Sequence, residues 1–362
     1  MTVTDQVSIV LLLFIISSAF LFSKLVGVKT VKQSNIKSLE GLRGIACSFV
    51  LINHIAYSVT HAGFNQMAIY EGGELYFGKF GAIGVGIFFC LTGYLFSRTI
   101  KSGNIDLRFF EKRIKRLAPA YLFISTIILL YCIAIYHSNI RGYHDLFSII
   151  QQIYGFGFWG GYVKFNDIYT HSLNAVYWTL PYEWKFYAMV PFLACIFSKR
   201  AWLSIAAAFC MVTLSIDFWS SNVMWGYFIF GFISSYLKKS NNRIINLFCC
   251  VTSLLILYYF YKIHVGGHDF ISMIMIGSLF PLFIISQPKV FERDTFVFLG
   301  TISYSVYLSH QVISTSIITA IGKYIDISLI PISWYYLLCC LIIIITFFIS
   351  SIIYFKVELK YS

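Results

Sequence analysis

Arg43 and His54 stand eleven residues apart around one apolar run, Gly44-Ile-Ala-Cys-Ser-Phe-Val-Leu-Ile-Asn-His54. At about 100° and 1.5 Å per residue, a helix puts both on nearly the same face, roughly 16 Å apart. An arginine and an imidazole on a lipid-compatible segment are costly in hydrocarbon unless a protein partner or a water-filled cavity receives them. An imidazole titrates near neutrality, so a partly dehydrated one suits general-base work or transient covalent attachment. Position alone equally allows a structural histidine bonded between helices, with the arginine snorkelling to the interface.

A second group lies in Phe109-Phe-Glu-Lys-Arg-Ile-Lys-Arg-Leu-Ala-Pro119. Arg113 and Arg116 are three apart, share a helix face and could grip one polyanion. Ordinary loop charge of a membrane protein explains them too. Seven basic residues lie between Arg98 and Arg116, against Asp106 and Glu111, a field that suits a phosphate-rich donor such as a coenzyme A thioester. A third stretch, Tyr177-Trp-Thr-Leu-Pro-Tyr-Glu-Trp-Lys-Phe-Tyr187, puts Glu183 where an external loop enters a helix. That carboxylate could complement the helix dipole, pair with Lys185, orient His54 or activate an acceptor hydroxyl. Trp178, Tyr182, Trp184 and Tyr187 fit either an interfacial belt or a sugar-binding face. In Leu299-Gly-Thr-Ile-Ser-Tyr-Ser-Val-Tyr-Leu-Ser-His310, Tyr307 and His310 share a face, with Ser303 and Tyr304 nearby; a polar stripe facing a bundle interior is the plain alternative. Gly81, Gly84 and Gly86 match no dinucleotide fingerprint and point to close packing or a broken helix.

The elements that must hold these groups are set by composition. The 362 residues are 59% hydrophobic and only 12% charged, about half the charge of an ordinary soluble domain. Repeated apolar runs of about 20 residues imply an all-α, polytopic transmembrane bundle, and their continuity excludes a β-barrel. About eleven spans are expected, near 7–23, 43–62, 80–98, 117–136, 183–198, 201–217, 223–237, 244–262, 270–287, 296–320 and 334–355. The net charge of +12 is carried by short loops between runs, which argues against nucleic acid as a partner. Placing those loops inside sets the N-terminus outside and the C-terminus in the cytoplasm, with Glu183 on the external side. The first helix is read as retained, because Lys24, Lys29 and Lys32 follow it where a signal peptide has its basic residues in front. Residues 137–182 are expected as an external cap or re-entrant piece. The nine cysteines fall inside apolar runs and read as small buried hydrophobes, with no metal-type spacing and no metal expected.

Taken in order, these stretches resemble the acyltransferase-3 family of integral membrane acyltransferases. The resemblance is carried by Ser38-Leu-Glu-Gly-Leu-Arg-Gly44 with the arginine–ten residues–histidine pattern, by Phe88-Phe-Cys-Leu-Thr-Gly-Tyr94, and by Arg113-x-x-Arg116 with Pro119. It continues through Trp178-Thr-Leu-x-x-Glu183-x-x-Phe-Tyr187 with Pro191, and Gly300-x-x-Ser-Tyr-Ser-x-Tyr-Leu-x-His310. Cys90 and Thr92 depart from the family pattern, Thr92 where serine is common. One domain, 1–362, is expected, with 1–37 an extra helix and linker and 38–355 the family core, and without the hydrolase-like domain that some relatives append.

The resemblance implies transfer of an acyl group, usually acetyl, from cytoplasmic acyl-CoA to a hydroxyl of an extracytoplasmic carbohydrate. Such acceptors include O-antigen of lipopolysaccharide, another surface polysaccharide or a lipid-linked oligosaccharide, and the setting is a bacterial inner membrane. It assigns catalysis to His54 and Glu183, donor binding to Arg43, Arg113 and Arg116, and support to Tyr187, Tyr307, His310 and Trp178. A carrier of acyl groups or lipid-linked sugars that forms no ester is the alternative, since histidines in a bundle with a basic mouth also suit transport. A polysaccharide polymerase or ligase shares the span count but gives the arginine pair no donor to bind.

Overall fold

The computed structural model describes residues 3–26, 36–61, 73–103, 108–160, 163–166, 168–197, 203–219, 223–263 and 268–361. Lys29, Lys32 and Asp106, used above, lie outside them. The helices are α1 (Val3–Val26), α2 (Lys37–His61), α3 (Gly73–Ser102), α4 (Phe109–Tyr136), α5 (Tyr143–Tyr154), α6 (His171–Asn174) and α7 (Leu180–Phe197). They continue as α8 (Leu203–Trp219), α9 (Trp225–Ser234), α10 (Arg243–Lys262), α11 (Phe270–Ser286), α12 (Asp294–Gly322) and α13 (Ile332–Ile353). A π turn, Tyr354–Glu358, ends the last of these. One hairpin pairs β1 (Val163–Phe165) with β2 (Ile168–Thr170) in register Val163↔Thr170, Asn166 taking the left-handed conformation at φ 47° that suits a short amide side chain.

Each apolar run expected as a span holds a helix among the described residues. Seven helices among the described residues (α1, α2, α3, α4, α10, α12 and α13) are long and apolar enough to cross a membrane, and α8, α9 and α11 are shorter apolar helices. α3 starts at Gly73, not 80, and two further starts move by six residues or more. α2 starts at Lys37, not 43, because Ser38, Leu39 and the first-turn acid Glu40 continue the helix backwards. α4 starts at Phe109, not 117, its first turns braced by Lys115 on Glu111 at 2.6 Å. Both extensions are amphipathic, so an apolar-run criterion misses them.

α2 is the centre of the bundle, since its two faces feed two cores. Leu39, Leu42, Ala46 and Val50 recur at helical spacing and pack with α3, α4, α7 and α9. Cys47, Leu51, Ile55 and Val59 point the other way, into α1, α12 and α13. α1 contributes the stripe Leu11, Ile15 and Ala19, fully buried, and leaves Ile9, Leu13 and Leu21 exposed on its other faces. Helices in lipid associate through close packing rather than water exclusion, so small residues decide the crossings. A Cβ on Gly300 of α12 would lie 2.0 Å from the Glu40 carbonyl oxygen of α2, and one on Gly84 of α3 would lie 2.5 Å from that of Ala46. α3 therefore runs unbroken through Gly81, Gly84 and Gly86, and the glycines serve approach, not a break.

Residues 137–179 combine a partly exposed cap with a piece that enters the bundle. α5 buries Ile149 and Ile153. Its Gln152 holds the hairpin by accepting from the Lys164 amide at 2.7 Å and donating to the Lys164 carbonyl at 2.8 Å. From the end of α6 the chain goes inside: Asn174 and Tyr177 are fully buried, and the 3-10 turn Ala175–Thr179 leads straight into α7. α7 thus begins among other helices rather than at an external surface.

Candidate active site

A cavity of about 620 Å³ opens between the starts of α2, α4, α7 and α12 and the π turn. α2 supplies Glu40 and Arg43; α4 supplies Lys112, Arg113, Lys115 and Arg116; α7 supplies Glu183 and Tyr187; α12 supplies Tyr304 and Tyr307; the π turn supplies Glu358. Phe88, Phe89, Thr92 and Phe96 of α3 form an apolar wall. Five cationic side chains therefore face three carboxylates, an excess of positive charge in a largely apolar chamber.

The cations are held differently. Arg43 donates from Nη1 to both Glu40 oxygens at 3.0 Å, one helical turn back, so its charge is already matched. The Arg113 guanidinium sits 5.0 Å above the Phe96 ring. Its Nε is buried with no hydrogen-bond partner among the described residues. An unsatisfied guanidinium donor is costly in protein and useful for an anionic ligand. Arg116 is exposed at the mouth.

Glu183 accepts from Tyr187 Oη at 3.1 Å, four residues along α7. Tyr187 is fixed in turn by ring contacts with Phe96 at 5.2 Å and Trp184 at 5.7 Å. The expected separation of Glu183 from the arginine pair by the membrane is corrected here. Glu183, Arg113, Arg116 and Arg43 line one cavity, because the buried turn before α7 brings the start of that helix down to them. Tyr304 ties α12 to α4 by donating to the Leu117 carbonyl at 2.9 Å.

His54 and His310 form a second group behind the first and are not among the lining residues. Their ring centroids are 5.2 Å apart. His310 Nδ1 lies 2.9 Å from the Val306 carbonyl oxygen, which can only accept, so that nitrogen carries the proton. Gln311 Nε2 lies 3.2 Å from His54 Nδ1. Tyr307 is the wall between the groups. It lines the cavity, its ring is 6.4 Å from that of His310, and its hydroxyl donates to the Val176 carbonyl at 3.0 Å and lies 2.5 Å from Thr179 Oγ1.

Trp178 stands apart from both groups. It packs edge-on against Tyr182 at 6.1 Å and His268 at 5.2 Å. Burial there holds the His268 imidazole below its usual pKa. Among the described residues no group of three or more His, Cys, Asp or Glu side chains is placed to hold a metal ion.

Four residues at the site escape a reading of the sequence. Glu40 lies inside the quoted Ser38–Gly44 motif, at the spacing that pairs with Arg43, and was there to be found. Glu358 follows the last apolar run, and reaches Ser305 Oγ only through the π turn. Thr179 and Gln311 matter through partners 128 and 135 residues away, for which local spacing carries no signal.

A family model described as an acyltransferase domain matches residues 36–351. A protein of Acidianus two-tailed virus named as an acetyltransferase is 26% identical over 64% of this chain and 72% of its own length. One of Staphylococcus aureus named as an O-acetyltransferase is 24% identical over 78% of this chain, and the match spans 51% of that relative. The peptidoglycan O-acetyltransferase of Listeria monocytogenes is 26% identical over 45% of this chain and 25% of its own length. The chain thus spans about half the length of the staphylococcal relative and a quarter of the listerial one. No solved structure matches.

Proposed function

The chain belongs to the acyltransferase-3 family, and from that premise we propose a membrane O-acetyltransferase that takes an acetyl group from cytoplasmic acetyl-CoA. The acceptor is a hydroxyl of an extracytoplasmic carbohydrate, such as O-antigen, another surface polysaccharide or a lipid-linked precursor, made at a bacterial inner membrane. The observation that carries the donor is the cationic cavity. Arg113, with its buried unsatisfied Nε, and Arg116 at the mouth match the phosphates of a coenzyme A thioester, while the α3 aromatic wall suits the thin pantetheine arm. Arg43 and Glu40 stand at the inner edge. The relatives' names support acetyl as the group moved and, for the listerial protein, a carbohydrate polymer as acceptor.

In the reaction the acceptor oxygen bonds to the acyl carbon, the carbon–sulfur bond breaks, and the hydroxyl proton must reach the leaving sulfur. Glu183, held by Tyr187, is positioned to bind the acceptor. His54 is the transfer centre, behind the Tyr307 wall. An imidazole there can handle the proton, carry the acetyl group transiently, or donate to the charge that gathers on the acyl oxygen.

The test is purified protein in detergent with labelled acetyl-CoA and a surface-polysaccharide acceptor. Ester product in the wild type and none with His54→Ala, at equal membrane insertion, is expected. Undiminished product from His54→Ala would sink the role of His54; absence of ester from the wild type, with labelled acetyl or sugar still moved across vesicles, would favour a carrier.

A further inference from the structure

Gln311 is buried on α12, 2% exposed, and both ends of its amide are engaged. Oε1 accepts the Val176 backbone N–H at 3.1 Å, and Nε2 faces His54 Nδ1 at 3.2 Å. The orientation of a glutamine amide is settled by its neighbours. Here the neighbour is decisive, because a backbone N–H can only donate and so must meet the oxygen. Turning the amide over would set NH₂ against N–H and leave two buried donors facing each other. The NH₂ therefore points at His54, and Nδ1 of His54 must be the accepting, unprotonated nitrogen.

The Val176 peptide that fixes Gln311 is itself fixed. Its carbonyl accepts from Tyr307 Oη, one turn before Gln311 on α12, at 3.0 Å. One helix thus clasps the 3-10 turn from both sides and takes the His54 ring at the same place. The same turn runs directly into α7, which carries Glu183 and Tyr187.

We propose that Gln311 is a positioning residue that locks His54 in the neutral form with its proton on Nε2, so that acetyl transfer is direct and no acetyl-histidine forms. The proposal rests on the acetyltransferase reading for its chemistry, and on the Gln311 contacts alone for the tautomer. A lone pair on Nε2 is what attack on the thioester would need, and Gln311 removes it; the lone pair on Nδ1 is covered by the amide. His54 instead enters as an Nε2–H donor toward the carbonyl oxygen of the thioester, where it steadies the charge that gathers as the acceptor oxygen bonds to the acyl carbon. The hydroxyl proton passes to a carboxylate lining the cavity, Glu183, and from there to sulfur as the carbon–sulfur bond breaks. The imidazole keeps its proton throughout, and the hydroxyl proton has reached the thiol.

Two measurements test this, and only one needs activity. In protein labelled at the histidine ring nitrogens, with the His54 signals assigned by their loss in His54→Gln, nitrogen NMR is expected to show Nδ1 unprotonated and Nε2 protonated. Gln311→Glu, equal in shape, places an acceptor at Nδ1 and should reverse that pattern. Gln311→Met, of similar length without hydrogen bonds, should leave a mixture, and serves if the glutamate variant does not fold. The kcat for acetyl transfer should fall roughly 10²-fold in either variant, the scale of one donor to the developing oxyanion, with the KM for acetyl-CoA within about twofold. A wild-type His54 protonated on Nδ1, a tautomer indifferent to Gln311, or label from acetyl-CoA recovered on His54 would overturn the proposal. A wild type that makes no ester while showing the Nε2–H form would instead remove the acetyltransferase reading and leave the tautomer lock in place.

Discussion

At the residue scale the three arginines of the cavity are not equivalent. Arg43 has its charge matched by Glu40 through Nη1, whereas Arg113 holds an unused Nε and lies over the Phe96 ring at 5.0 Å. On the proposed reading the donor contact therefore rests first on Arg113. A charge-assisted hydrogen bond is worth about 1.5–3 kcal/mol, or roughly 10- to 100-fold in affinity. Arg113→Gln should raise the KM for acetyl-CoA by that factor with a small change in kcat. Arg113→Lys should not rescue it, since a lysine ammonium presents no planar fork to an anion. Arg116, exposed at the mouth, should tolerate lysine within about threefold, the discount solvent imposes on exposed charge. Steady-state kinetics at two salt concentrations check both, the Arg116→Gln defect shrinking at high salt and the Arg113→Gln defect persisting.

At the element scale the site depends on how closely α2 and α12 cross, because Glu40, Arg43, His54, Tyr307 and Gln311 are spread over those two helices. The Gly300→Ala methyl would land on the Glu40 carbonyl, backbone that cannot yield without moving α2. Overpacking of this kind costs about 1–3 kcal/mol, so a lowered unfolding midpoint in detergent is expected together with a weaker hold on acetyl-CoA. Gly322→Ala, whose methyl would meet nothing nearer than Ile327 Cδ1 at 3.7 Å, should change neither. In the cap, Asp145 accepts from the Arg141 amide and from Asn166 Nδ2, each at 2.8 Å, which holds its carboxyl below the usual carboxylate range. A depressed folded pKa gives stability that is present above the ordinary value and lost as pH falls through the folded one. Limited proteolysis of the hairpin should therefore accelerate only below the ordinary carboxylate range for the wild type, and at neutral pH for Asp145→Ala. These helices could be read from the sequence because lipid demands long apolar runs. The 3-10 turn could not, since Tyr177 is buried against Tyr121 and Ser125 of α4 and the Val176 peptide is held by Tyr307 and Gln311 of α12, not by any period of its own. Placing Glu183 opposite the arginines failed for the same reason: the turn that carries it inward leaves no mark in hydropathy.

At the scale of the whole molecule, charge and cavity agree on one direction. Lys101 of α3 donates to the Ser235 carbonyl after α9, and the Ser240 amide after the same helix donates to the Ile285 carbonyl of α11. The basic ends near Lys101, Lys238, Lys239 and Lys289 are therefore neighbours, and the cavity opens beside Lys112, Lys115 and Arg116. Short basic connections mark the cytoplasmic side, which is where acetyl-CoA is made available, so a donor would enter from the end that electrostatics already favours. The orientation follows as a prediction with a direct readout. Cysteine at Ser138, exposed after α4, should react with a membrane-impermeant maleimide in intact cells, while cysteine at Ser102, exposed at the end of α3, should react only after lysis. The nine native thiols lie in the helices, free of disulfides, and the unsubstituted chain gives their background. The converse labelling would put the arginine cavity on the side without acetyl-CoA. The donor assignment of Arg113 and Arg116 would then fall even if every helix stood where it does, because the same charges would be facing a compartment that offers them nothing to bind.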